Sequence, residues 1–105
     1  MILTEEHQMI RDALRSYAQE RLAPHAARWD KEHYFPKAEL KELAQLGAFG
    51  VAVPEEYGGA GLDYVSLALV LEEIAAGDGG TSTIISVNNC PVCSIAMMYA
   101  SEEQK

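Results

Sequence analysis

DYVSLALVLEEIAAG, residues 63–77, opens with an aspartate suited to capping a helix and continues with Tyr64, Val65 and Leu67 to Leu71, which leave almost no polar face over two turns. A helix apolar nearly all round is buried on several sides. At thirteen or so residues it is too short to cross a bilayer, which takes about 20. It therefore reads as the central helix of a packed domain, and the chain on either side has to supply the elements that cover it.

Upstream, Thr4 can cap a first helix. Glu5 and Glu6 favour the positive end of its dipole, and Ile10, Ala13, Leu14, Tyr17 and Ala18 form one apolar stripe, with Arg11, Asp12, Arg15 and Gln19 facing water. Pro24 suits the first turn of a second, shorter helix carrying Trp29. That helix should end before Phe35-Pro36, because a residue ahead of proline avoids helical angles. Leu40, Leu43 and Ala44 mark a third helix from Lys37, with Gly47 placed for a left-handed cap.

Downstream, the turn Gly77 to Gly80 leads into TSTIISVNNCPVCSIAMMYA, apolar and long enough to be a buried helix. Pro91 removes a backbone hydrogen bond and crowds the preceding turn, which predicts a kink or two abutting helices with the break near Asn89. No segment alternates at the strand period, so the fold class is all-α, a compact helical bundle. Ser101 and Gln104 then form a capping-box pattern with acidic residues between them, the signature of a helix about to run. Residues 1–100 accordingly read as an N-terminal α-helical domain. Residues 101–105 read as the truncated start of a following helix, which makes the chain the front piece of something longer.

Composition narrows the function. The 105 residues are 49% hydrophobic and 23% charged, ordinary for one globular domain. The net charge of -8 argues against nucleic acid or an anionic membrane as partner. The amino terminus lacks the basic region and apolar core of a secretory signal, so the cytoplasm or a mitochondrial matrix is the expected location. Two cysteines are too few for a disulfide framework.

The corner VAVPEEYGGAGLD, Val51 to Asp63, raises the possibility of a phosphate loop. Such loops follow a strand and present helix amides to the anion. Here no strand precedes, no lysine follows, and Glu55 and Glu56 would repel an anion, so the glycines are expected to turn a corner between helices. Cys90-Pro-Val-Cys93 could be half of a metal site or a dithiol couple. No further ligands stand at suitable spacing and no βαβ pattern surrounds it, so two small residues on adjacent turns is the simpler reading and no metal is expected. His7, His25 and His33 have no partners at metal-binding spacing. On the helix after Gly80, Ser82, Ser86, Asn89 or Cys90, and Cys93 recur at helical steps. Such a face of small side chains either packs closely against another helix or forms one wall of a slot for a slender apolar ligand.

Taken in order, FPKAELKELAQLGAFGVAVPEEYGGAGLDYVSLALVLEEIAAGDGGTSTIISVNN and the final SEEQK resemble the N-terminal helical domain of the flavin-dependent acyl-CoA dehydrogenases. The motifs are the proline before the third helix, the LGAFGVAVPEEYGGAGLD corner, the LEEIA helix end and the EEQK start, and the resemblance extends over nearly the whole chain.

The resemblance implies an enzyme of three domains, helical, β and helical. A glutamate removes the α proton of an acyl-CoA thioester, the β hydrogen passes as hydride to FAD, and an electron-transfer flavoprotein collects the electrons. It also implies a tetramer or dimer. The family's glutamate base and most FAD contacts lie in later domains. None of Glu55, Glu56, Glu72 or Glu73 matches that base, so no catalytic residue is assigned, and the isolated 105 residues are expected to be inactive and free of flavin. What the resemblance does carry onto this chain is one wall of the acyl pocket, at Ser82, Thr83, Ser86 and Cys90. The alternative from another class is a free-standing helical module that binds a protein partner through exposed apolar faces.

Overall fold

The computed structural model describes residues 2–105, and all regular structure among them is helical. Six α-helices follow one another: α1 Glu5–Tyr17, α2 Ala26–Glu32, α3 Lys37–Gln45, α4 Tyr64–Gly77, α5 Gly79–Val87 and α6 Ser94–Tyr99. Wide π-type turns extend α1 over Ala18–Leu22 and join α5 to α6 over Asn88–Cys93, and single 3-10 turns stand at Ala48–Gly50 and Glu55–Tyr57. The bundle is compact, as its sequence predicts.

The core is built around α4. Leu67, Val70 and Ile74 are buried there against Leu14, Ala18 and Leu22 from the first helical segment and Ile85 from α5. Trp29, Leu40, Leu43, Ala48 and Val51 close the other side. Ala13, expected on the buried stripe of α1, is exposed, whereas Leu14 and Ala18 are buried. One charged group on α4 is also buried: Glu73 receives a two-pronged bond from Arg15 of α1, Nη2 to Oε1 at 2.8 Å and Nε to Oε2 at 3.1 Å. The pairing satisfies a carboxylate that would otherwise be costly inside.

The caps explain the boundaries. Asp63 accepts the Ser66 amide at the start of α4, and Thr4 accepts the His7 amide at the start of α1. Gly47 takes φ 85° after α3, the left-handed geometry a C-terminal cap needs. α2 ends at Glu32 with His33 left-handed at φ 56°, ahead of the Phe35-Pro36 pair. Three expectations shift. Pro24 has no amide to continue the helical ladder, so the first helical segment ends in a wide turn in which Ala23 N donates to Ala18 O, and α2 begins only at Ala26. Asp78 alone separates α4 from α5, because its carboxylate caps Thr81 and draws Gly79 and Gly80 into the helix. The break ahead of Pro91 falls at Cys90, whose φ of -139° and ψ of 111° are extended, one residue after Asn89.

The two N-termini also share a contact. His7 Nδ1 accepts the Thr4 amide, which leaves Nε2 to donate to Asp63 at 2.9 Å. The Ser66 amide first, then His7 and the Ser66 hydroxyl, pull the Asp63 carboxyl from 3.8 down to about 2. A depressed carboxyl stabilises the fold above its ordinary value and loses that contribution as pH falls through the folded value. Acid unfolding of the chain should therefore steepen between pH 3.8 and about 2. Asp63→Asn should flatten that part of a circular-dichroism pH titration. An unchanged acid limb in the variant would show that the Asp63 carboxylate carries none of this dependence.

Candidate functional site

Ser82, Thr83 and Ser86 come together on the outer side of α5. With Val87 of the same helix and Leu71, Glu72 and Ala75 of α4 they line an open groove of about 380 Å³. Helical spacing puts the α5 residues on adjacent turns, and Asp78 sets the two helices side by side. Cys90 does not line this groove. It lies exposed at the break beyond α5, with its sulfur 3.5 Å from Ser94 Oγ.

The hydroxyls in the groove are largely occupied. Ser82 Oγ donates to Gly79 O at 2.7 Å and Thr83 Oγ1 donates to the same carbonyl at 3.2 Å. A hydroxyl whose proton is committed to its own helix presents oxygen lone pairs and carbon rather than a free donor. With Leu71 and Ala75 opposite and Val87 alongside, the surface suits an apolar chain, and small side chains leave the room for it. The volume sits near the low end of small-molecule sites. Leu71 and Ala75 are not apparent as groove residues in the sequence, where α4 reads as buried on several sides. The exposed Glu72 between them is the one local sign that this part of α4 reaches the surface.

A second hollow of about 240 Å³ opens where α6 meets the corner loop, lined among others by Val53, Leu67, Asn89, Cys93 and Met97. Asn89 is its buried anchor. Its Oδ1 accepts the Val51 amide at 2.9 Å, and its Nδ2 donates to Ala48 O at 2.8 Å and Ile85 O at 2.9 Å. Asn88 Nδ2 donates to Phe49 O at 2.6 Å. The asparagine pair thus staples the kinked helix to the turn after α3. Cys93 lies beside Phe49 O, and burial pushes its thiol above the ordinary range. A nucleophilic dithiol needs the opposite shift. No group of three metal-ligating side chains occurs among the described residues.

The glycine run of the corner, Gly58 to Leu62, has no amide to spare for a phosphate. Gly58 N donates to Glu55 O, Gly59 N to Pro54 O, Ala60 N to Gly50 O, Gly61 N to Val53 O and Leu62 N to Val51 O. The successive amides that a phosphate cradle would turn toward an anion are, in this run, spent on the loop itself. These residues do not fit a flavin pyrophosphate. The loop turns a corner, as its composition predicts.

The family model described as "Acyl-CoA dehydrogenase, N-terminal domain" matches residues 4–105. The human mitochondrial short-chain specific acyl-CoA dehydrogenase is 46% identical over 103 residues, an alignment that covers 98% of this chain and 25% of that protein. Among solved structures, a chain from the work on the electron transferring flavoprotein of Acidaminococcus fermentans superposes with a TM-score of 0.93 at 36% identity, covering 99% of this chain and 27% of its own. Butyryl-CoA dehydrogenase from Megasphaera elsdenii superposes with a TM-score of 0.87 at 28% identity, covering 99% and 28%. The chain spans about a quarter of the length of the curated relatives it matches. Together these matches show that the chain belongs to the acyl-CoA dehydrogenase family and corresponds to its N-terminal helical domain.

Proposed function

We propose that this chain serves as the N-terminal domain of a full-length FAD-dependent acyl-CoA dehydrogenase and that its α4–α5 groove forms one wall of the acyl-chain pocket. The observation that carries the reading is the groove itself: Ser82, Thr83 and Ser86, with the first two hydroxyls tied back to Gly79, facing Leu71 and Ala75. Cys90, just beyond the groove, belongs to the same wall only where the acyl chain extends past the break at Pro91. FAD supplies the hydride acceptor when bound, in parts of the enzyme other than the glycine corner. The residues here would cover one side of the acyl chain and restrict its motion. Glu72 and Glu73 take no catalytic part, Glu72 being exposed on the groove edge and Glu73 committed to Arg15.

The substrate is a short acyl-CoA thioester, in keeping with the groove's modest volume and with the short-chain and butyryl-CoA enzymes it resembles. Electrons leave to an electron-transfer flavoprotein, and the enzyme works as a homo-oligomer in the cytoplasm or the mitochondrial matrix. No helix among the described residues is long and apolar enough to cross a membrane.

Filling the groove tests the wall. In the full-length enzyme, Ser86→Leu should lower kcat/KM for the longest accepted acyl chain by about 10- to 100-fold while leaving the shortest nearly unchanged, since pocket methylenes discriminate by factors of this order. Equal loss for every chain length, or no loss at all, would remove Ser86 from the pocket wall.

A further inference from the structure

The glycine corner has a second role that the groove does not require. Ser101–Lys105 forms one turn closed on itself: the Ser101 amide donates to Gln104 Oε1 at 3.0 Å, the Gln104 amide donates to Ser101 Oγ at 3.3 Å, and the amides of Gln104 and Lys105 both donate to Ser101 O at 3.1 Å. A capping box fixes the turn's own shape but not its direction. Ala100 ahead of it is extended, with φ -77° and ψ 160°, so local geometry leaves the turn free to swing.

Tyr57 removes that freedom. It stands in the 3-10 turn Glu55–Tyr57, immediately before the left-handed Gly58 at φ 86°. Its hydroxyl donates to Glu102 Oε2 at 2.6 Å, the short distance of a bond to an ionised acceptor. Lys105 completes the contact. Its ammonium lies 3.4 Å from Glu102 Oε1 and 6.0 Å from the centroid of the Tyr57 ring, and its side chain is only 15% exposed. A lysine side chain lies down on a surface where its stem and charge both find partners. The phenol and the carboxylate shift in matching directions: the bond to Glu102, with burial and the charges of Glu102 and Glu56, lifts the Tyr57 hydroxyl to about 12, and Glu102 is lowered by Tyr57 first and Lys105 next.

We infer that the PEEYGG corner is a seat in which Tyr57, Glu102 and Lys105 clamp the Ser101–Lys105 turn and set the direction in which the chain leaves α6. Gly58 turns the backbone directly after the tyrosine, so the conformation that makes the corner also aims the phenol. The inference rests on these contacts and is independent of the acyl-pocket reading.

Amide hydrogen exchange followed by NMR on the 105-residue chain tests it. Tyr57→Phe, which keeps the ring and removes only the hydroxyl, should lower protection of the Gln104 and Lys105 amides by about two- to tenfold, the worth of one such hydrogen bond. Amides in α1 and α4 should keep their rates. Glu102→Gln should have the same local effect and should bring a tyrosine titration down from about 12 toward the ordinary 10.0. Ser101→Ala, which opens the box and leaves the seat intact, should preserve the contact between the Lys105 side chain and the Tyr57 ring seen as a nuclear Overhauser effect. Unchanged or absent protection at Gln104 and Lys105 in the parent and both clamp variants would overturn the proposal, as would loss of the ring contact in Ser101→Ala.

Discussion

Asn89→Ala should destabilise the domain by about 3 kcal/mol, read as a fall in the midpoint of urea unfolding with little change in slope. The side chain is 4% exposed and makes three bonds, to the amide of Val51 and the carbonyls of Ala48 and Ile85. Removing it strands groups that water does not reach, and each costs about 1–3 kcal/mol when left alone. Asn88→Ala supplies the contrast. Asn88 is only half-buried and donates chiefly to Phe49 O, so its loss should cost about 1 kcal/mol. Asn89→Asp should be at least as damaging as alanine at neutral pH. A carboxylate could still accept from Val51 but would face the Ala48 and Ile85 carbonyls with no proton to give them. Its deficit should shrink in acid, where the neutral form regains one donor. Equal stability of Asn89→Ala and the parent would mean that the kinked helix does not hold the turn after α3.

What that staple does is not legible in the sequence. Asn89 belongs to a mildly polar stripe there, and its partners Ala48 and Val51 come near only when the turn after α3 folds across the break at Pro91. Caps are a different matter. Thr4, Gly47 and Asp63 act on atoms within a few residues of themselves, so their types and spacing announce them, and the apolar run of α4 announces the buried centre. The turn at Gly77–Gly80 misleads for the same local reason. Three glycines suggest a loop, yet the Asp78 side chain accepts the Thr81 amide and starts α5 at once. His7 reads as a histidine without a partner because Asp63, which it meets, is far along the chain. The groove is half legible. The step from Ser82 to Ser86 is visible in sequence and Thr83 joins it only through the family resemblance, whereas the opposing Leu71 and Ala75 depend on how α4 and α5 lie against each other. Cys90 falls off that line because the proline after it ends the helical phase at that residue.

Gly59→Ala should cost a similar amount for a steric reason. A β carbon built on Gly59 would collide with the carbonyl oxygen and the β carbon of Val53, closer than such atoms ever approach. The backbone there is not left-handed, so the penalty comes from contact alone. The obstructing carbonyl also accepts the Gly61 amide and cannot swing away without breaking that bond. Overpacking against fixed atoms costs about 1–3 kcal/mol, and here the upper end applies because the neighbour is backbone rather than a flexible side chain. Two other glycines in the chain separate the causes. Gly58→Ala meets no atom within 4 Å but must hold φ 86°, so it should lose about 1 kcal/mol from strain alone. Gly79→Ala meets nothing, has an ordinary φ and lies at the start of α5, so it should gain about 0.5 kcal/mol by stiffening the unfolded chain. The expected order of unfolding midpoints is Gly79→Ala above the parent, then Gly58→Ala, then Gly59→Ala. A Gly59→Ala variant as stable as the parent would show that the corner can open at Val53, in which case the loop would not be rigid enough to aim Tyr57 at Glu102.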